Sequence, residues 1–246
     1  MLSKTETKYI QSLFQKKFRQ QENLFIAEGP KIIEEALSNP VVNVKKVFAI
    51  EEWVNENKKY SHLSEVITVS ETDLERISQL KTPHQVLAII ETPWSEGFEI
   101  DNERIALALD GIQDPGNMGT ILRIADWFGI KQMICSKDCA DIYNSKVVQA
   151  SMGSIFRTEV FYTDLSEWLG MLQNTIIYGA ALDGIPLKSY KNIQQGILVI
   201  GNEGRGIRPE VMRHVSQKIT IERIGEAESL NAAVATGIIL SHIAHP

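Results

Sequence analysis

Residues 104–125 read RIALALDGIQDPGNMGTILRIA, and the texture of this stretch changes twice. Residues 104–110 form a nearly unbroken apolar run closed by one acid, the pattern of a strand buried on both faces. The next segment carries Gly111, Gly116 and Gly119 with Pro115 and Asn117, which is turn chemistry. From 119 to 128 the apolar residues recur at helical spacing, which places Arg123 on the first or second turn of a helix. Strand, backbone-exposing turn and helix in that order make half of a strand–helix–strand unit, and such units build parallel sheets.

The same alternation continues downstream. Strands are predicted over 104–110, 132–136, 158–162, 175–180, 196–201 and 218–221. Helices are predicted over 119–128, 145–152, 164–173 and 229–242. Strands this apolar, alternating with helices, indicate an α/β domain with a mainly parallel sheet covered on both sides. Ligands of such sheets bind beyond the carboxyl ends of the strands.

Three segments occupy that position. DGIQDPGNMGTILRIA (110–125) offers backbone N–H groups at a helix start. LVIGNEGRGI (198–207) places three glycines around Asn202 and Glu203. It lacks the Gly-Lys-Ser/Thr ending of a phosphate loop and the glycine spacing of a dinucleotide fingerprint. ITIERIGEAESLNAAVATGIIL (219–240) runs from a strand through a loop to a helix opened by Ser229, whose hydroxyl suits an N-cap. Ala232, Ala233, Ala235 and Gly237 give that helix a small-residue surface fit for close packing. Each loop alone reads as an ordinary connection. Their order and combination carry the information.

Upstream, a helix is predicted over 4–20, with Tyr9, Leu13, Phe14 and Phe18 at helical spacing. Strands follow over 23–27, 44–50, 66–69 and 86–91, and helices over 30–37, 51–57 and 71–80, the last capped by Ser70. Turn residues at 92–97 mark a boundary between domains 1–97 and 98–246. Residues 1–20 carry Lys4, Lys8, Lys16, Lys17 and Arg19 against Glu6 alone. This basic segment fits either a solvated helix face or a phosphate-contacting edge.

Composition bounds the partners. The 246 residues carry a formal net charge of -6, which excludes indiscriminate nucleic-acid binding through a globally basic surface. No apolar run is long enough to cross a bilayer. The opening MLSKTETKYI lacks the core of a secretory signal, so a cytoplasmic location is expected. Cys135 and Cys139 are too far apart for a thioredoxin-type pair and have no nearby His or Cys for zinc, so free thiols and no metal are expected.

The ordered trio resembles the SpoU/TrmH class of SPOUT methyltransferases. Pro115, Asn117, Gly119 and Arg123 match its first motif, Gly201 to Gly204 its second, and Ser229-Leu230-Asn231 its third. Ser151-Met152-Gly153 is similar to the Ser-x-Gly segment between the first two. At the front, residues 25–31 (FIAEGPK) and 81–85 (KTPHQ) resemble the substrate-binding domain often attached to these enzymes, itself similar to ribosomal-protein modules that bind kinked RNA. The sequence departs from the family at Glu222-Arg223, where Pro-Met is common, and at Ala232, where Val is common.

The resemblance implies a catalytic domain with a deep trefoil knot, a homodimer, and S-adenosylmethionine as methyl donor to a ribose 2′-hydroxyl of RNA. Ribosomal RNA is favoured over transfer RNA by the front domain. It implies a cofactor held around Gly201, Ile221 and Leu230, and a catalytic set of Asn117, Arg123, Glu203, Ser229 and Asn231. A guanidinium stays protonated in proteins, so Arg123 suits a phosphate clamp better than a general base. Two rivals remain: an RNA-binding assembly or resistance factor without catalysis, and a nucleotide-dependent hydrolase, which the missing phosphate-loop lysine disfavours.

Overall fold

In the computed structural model, which describes residues 2–60, 65–93, 98–190 and 193–243, the chain forms two compact units. One comprises Met1–Glu96 with Tyr143–Phe156, the other Gly97–Ile142 with Arg157–Pro246. Of the turn expected at 92–97, residues 94–97 lie outside the described residues.

The second unit is built around β5 (Ile105–Asp110), buried along its whole length. It lies between β9 (Gly196–Gly201) and β6 (Gln132–Ser136) in a six-stranded sheet. The sheet is completed by β7 (Glu159–Thr163), β8 (Ile177–Pro186) and β10 (Gln217–Thr220), in the order β10-β8-β9-β5-β6-β7. All five neighbouring pairs are parallel. Parallel strands need crossovers that cover both faces, which is why these strands are apolar on both sides. Ala106, Ala108, Ile197 and Val199 meet Leu165 and Leu169 of α8 (Leu165–Met171) and Val211 of α9 (Pro209–Met212). Helices α6 (Pro115–Trp127) and α10 (Ala232–Ile243) pack against each other. The register pairs Asp110 with Gly201, so the loops leaving β5 and β9 start level.

Two helix starts differ from expectation. Helix α6 begins at Pro115, not at 119: Asp114 accepts the Asn117 N–H at 2.8 Å, and proline sits where its missing N–H costs nothing. The glycine-rich turn is therefore the first turn of the helix, and Arg123 falls on its third. Helix α10 begins at Ala232, and its cap is Asn231, whose Oδ1 accepts from the N–H groups of Ala233 and Val234 at 3.0 and 3.2 Å. Ser229 stays in the preceding loop.

The first unit holds a four-stranded sheet in the order β1-β4-β2-β3. Its strands are β1 (Leu24–Glu28), β2 (Val44–Ala49), β3 (Glu65–Thr68) and β4 (Val86–Glu91). β4 runs antiparallel to both its neighbours. The helix expected over 4–20 breaks into α1 (Lys4–Ser12) and α2 (Lys16–Glu22). Arg19 stabilises the break: it is buried and donates Nη1 to the carbonyls of Leu13 and Phe14 at 3.1 and 2.8 Å. It is thereby withdrawn from the basic surface that the sequence suggested. Helices α3 (Pro30–Ser38), α4 (Glu51–Glu56) and α5 (Glu71–Ile77) complete this part, and Ser70 caps α5 as expected.

Helix α7 (Ser145–Ser151), which follows β6 in the chain, packs on β1, and Tyr143 meets Phe25 with ring centroids 4.8 Å apart. The Ser-Met-Gly segment ends this helix. Gly153 has φ +93°, a backbone conformation that favours glycine, and the Glu35 carboxylate lies where a Cβ would stand.

Candidate active site

Beyond the carboxyl ends of β5, β9 and β10, the three loops meet at one carboxylate. Glu203 Oε1 accepts from Asn117 Nδ2 at 2.7 Å, from Asn231 Nδ2, and from the Ala232 N–H at 3.3 Å. Asn231 Nδ2 also donates to Asn117 Oδ1 at 2.8 Å. The second loop thus ties the first turn of α6 to the first turn of α10. A charged acceptor makes these bonds stronger than neutral ones, and a carboxylate at two helix starts is favoured by both dipoles.

The glycine-rich loop is closed on itself. Asn202 and Gly206 exchange both backbone hydrogen bonds, and Asn202 Oδ1 accepts from the N–H groups of Gly204 and Arg205. A Cβ on Gly201 would lie 2.3 Å from the Gly206 carbonyl carbon, which explains the glycine. Asn202 Nδ2 donates to the Gly111 carbonyl at 2.9 Å, fastening this loop to the first. Arg208 adds a second fastening to Asp110, and the hydrogen bonds it donates to that carboxylate raise the pKa of its guanidinium. Asp110 and Arg208 were not singled out from sequence, and Asn202 was noted there only as part of the second motif. The signal that could have found one of them is the lone acid ending an otherwise apolar strand.

Beside this junction lies a cavity of about 820 Å³, within the range of small-molecule sites of about 300–1,000 Å³. Gly201, Glu203, Ile221, Ser229 and Leu230 all line it. Ala181, Leu182, Ile219 and Ile239 add apolar wall. Within the loop 222–230, the hydrogen bonds among the described residues are Arg223 Nη1 to the Ala227 carbonyl and Lys188 Nζ to Glu222 Oε1. Apart from the Ala227 carbonyl, its backbone groups are uncommitted among the described residues and can serve a ligand. The lining carries Glu203, Glu222 and Glu228 against Arg205 and Arg223, a balance that disfavours a phosphate ligand. Peptide groups, apolar wall and carboxylates fit a purine nucleoside bearing an amino acid and a cationic sulfonium. Glu222 and Arg223, where the sequence departs from the family, stay at the surface of the loop, and Glu222 pairs with Lys188 at 2.8 Å.

Arg123 is not part of the junction. It is exposed and makes no hydrogen bond or ion pair with a described residue. Asn117 and Arg123 are six residues apart on α6, so their side chains leave the helix about 120° apart.

Beneath the first loop, Cys139 lies between β5 and β6. Its Sγ accepts from the Ile112 N–H at 3.3 Å and contacts Ser136 Oγ and the Leu109 carbonyl at the same distance. The hydrogen bond from the Cys135 thiol pulls its pKa down to about 7 against burial, helped by Ser136 and the N–H groups of Ile112 and Gly111. Burial pushes Cys135 well up. Both thiols are free.

Residues 104–241 match the SpoU rRNA Methylase family, and residues 4–88 match the MRM3-like substrate binding domain. The chain is 30% identical over 234 residues to the 23S rRNA (guanosine(2553)-2'-O)-methyltransferase RlmP of Bacillus subtilis (strain 168), covering 94% of this chain and 92% of that protein. A TrmH-family protein from Porphyromonas gingivalis superposes with a TM-score of 0.87 at 38% identity, over 98% of each chain. An AdoMet-bound rRNA methyltransferase from Sinorhizobium meliloti superposes at 0.86 and 28% identity, over 98% of this chain and 95% of that one. Fold, loops and likenesses together define an α/β RNA methyltransferase of the SPOUT class that uses S-adenosylmethionine. Within that class the chain belongs to the SpoU rRNA methylase family.

Proposed function

We propose that this enzyme methylates a ribose 2′-hydroxyl of ribosomal RNA and works as a homodimer in the cytoplasm. The observation that carries the reading is the junction at Glu203, which locks three loops together beside a cavity suited to the methyl donor.

Bound S-adenosylmethionine supplies a methyl group made electrophilic by its sulfonium. The protein's task is alignment, since an in-line displacement gains most from holding the two reactants in one geometry. Backbone groups at Gly201, Ile221 and Leu230 hold the donor. Glu203 Oε1 is committed to Asn117, Asn231 and Ala232, so its work is to fix the loops. Ser229, on the cavity wall, and the two asparagines orient the hydroxyl. Arg123, uncommitted in the fold, grips an RNA phosphate and stabilises the developing alkoxide.

Ribosomal RNA is favoured over transfer RNA because the front of the chain matches a substrate-binding domain and the relative from Bacillus subtilis is a 23S rRNA enzyme. Pairing of two copies is supported by Val234 and Ile238, apolar residues left exposed on α10. The knot implied by the resemblance belongs to this same reading of the second unit.

Ribose-methylation mapping of total RNA from cells with and without the gene tests the proposal. The expected result is loss of one 2′-O-methyl mark from ribosomal RNA. Loss from transfer RNA would replace the target, and no loss at all would favour the assembly-factor reading. Sedimentation at micromolar concentration tests the dimer.

A further inference from the structure

Gly116, Thr120, Arg123 and Trp127 follow one another on α6 at spacings of four, three and four residues, which stacks them along one face of a helix. All four are exposed. The opposite face carries Met118, Ile121, Leu122 and Ala125 into the core, and Ile124 Cδ1 lies 3.6 Å from where a Cβ on Gly237 of α10 would stand. The exposed ridge is thus distinct from the face that α10 covers. Trp127 is 82% exposed, an unusual position for the largest apolar side chain, and it sits one turn beyond a guanidinium with no partner among the described residues.

We propose that this ridge is an RNA-binding subsite in which Arg123 holds a backbone phosphate and the Trp127 indole stacks on an unpaired base of the same strand. Charge supports this occupant. The one carboxylate on this part of α6, Asp126, is neutralised by Arg157, whose Nε and Nη2 donate to it at 2.8 and 2.7 Å. Around Arg123 and Trp127 the ridge therefore presents a cation uncommitted to any described residue beside an aromatic face, the combination that single-stranded RNA recognition uses. Asp126 is paired, and the next acid of the helix start, Asp114, stands at the far end beside Gly116. The four residues from Arg123 to Trp127 span about 6 Å along the axis. That places phosphate and base contacts within the reach of adjoining nucleotides. Stacking tolerates any base, so Trp127 would strengthen binding and fix the strand without reading sequence. The substrate class rests on the ribose-methylation reading above.

The test uses the full-length enzyme, S-adenosylmethionine and protein-free ribosomal RNA from cells lacking the gene. For Trp127→Ala and Trp127→Leu the KM for RNA should rise about tenfold, the lower range of one lost stacking contact. Trp127→Phe should stay within about threefold of wild type, because a smaller ring still stacks. The Kd for S-adenosylmethionine, measured by calorimetry, should not move in any of the three. An unchanged RNA KM in Trp127→Ala overturns the subsite while leaving ribose methylation standing. Equal KM for the Leu and Phe variants shows that apolar bulk, not stacking, is at work, and also overturns it. A shift of Trp127→Ala to a smaller species in sedimentation assigns the indole to a second copy of the chain instead. If wild type itself methylates no RNA, the functional reading fails first.

Discussion

Arg208 closes on Asp110 across 98 residues of chain, giving its backbone N–H to Oδ2 and its Nε to Oδ1, each at 2.7 Å. Asp110 is 1% exposed and ends the central strand; Arg208 follows the glycine-rich loop. Together with the Asn202–Gly111 bond this pair sets how the second loop lies over the first. Removing the carboxylate leaves the Arg208 backbone N–H and Nε without their closest acceptor, with only the longer contacts to Asp138 at 3.5 Å and Glu210 at 3.8 Å to hold the guanidinium. Asp110→Ala should therefore cost about 3 kcal/mol, the low end for a broken buried pair, because the Arg208 side chain is 38% exposed and partly rescued by water. Urea unfolding followed by circular dichroism measures it. A loss under about 1 kcal/mol would mean the loops are held by other contacts.

Glu203 is exposed and lies outside the hydrophobic core, so its replacement separates alignment from folding. Glu203→Ala frees Asn117, Asn231 and the start of α10 at once. Turnover should fall on the order of 10²-fold, the scale of a misplaced reactant, with little change in melting temperature. Glu203→Gln keeps an oxygen acceptor but not the charge, and should fall between the two. Methyl incorporation into ribosomal RNA is the readout. Full activity in Glu203→Ala would remove the junction from the mechanism.

The Cys139 thiol links protonation to stability. Its pKa is lowered to about 7 in the folded chain, while the unfolded thiol titrates near the ordinary value of 9.0. Between these values the unfolded state binds more protons, so stability should rise as pH rises from 7 towards 9 and be lost as pH falls through 7. Cys135, pushed the other way, contributes only above the ordinary thiol range. The urea midpoint should thus increase between pH 6.5 and about 8.5 in wild type and stay flatter in Cys139→Ala. Parallel curves for the two proteins would show that the thiol does not ionise in this window.

Strands proved the most legible part of the chain. The expected spans 86–91, 132–136 and 196–201 coincide with β4, β6 and β9, because an apolar run bounded by polar residues has few alternatives. β8 was underread: it continues through Asp183 and Gly184 to Pro186, where exposure admits the aspartate and the close backbone of Lys218 and Ile219 in β10 leaves room only for glycine. Helix starts were misplaced where caps decided them. Gly116 and Gly119 disguised the first turn of α6, and Ser229 competed with Asn231, which lies closer to the donors. Asn117, Glu203 and Asn231 were singled out and do meet, through the family's motifs and not through spacing. Asp110 and Arg208 were missed, and Asn202 was named without a role, because their meaning is a pairing across distant loops, which local pattern does not carry.

The uncommitted state of Arg123 makes its chemistry directly readable. It stands exposed on the third turn of α6, with no hydrogen bond or ion pair to a described residue, so changing it should leave the fold intact. Lysine preserves the positive charge but not the planar fork that grips a phosphate through two bonds. Arg123→Lys should lower kcat by about 10² to 10³, the scale of losing one preorganised donor, with the Kd for S-adenosylmethionine and the melting temperature unchanged. The pH profile then separates clamp from base. A clamp stays charged below about pH 10 in both proteins, so the rising limb of kcat should keep its position in the variant. A base would carry that limb to lower pH, because an ammonium titrates below a guanidinium. Near-wild-type turnover on ribosomal RNA would rule out both roles and leave Arg123 as surface.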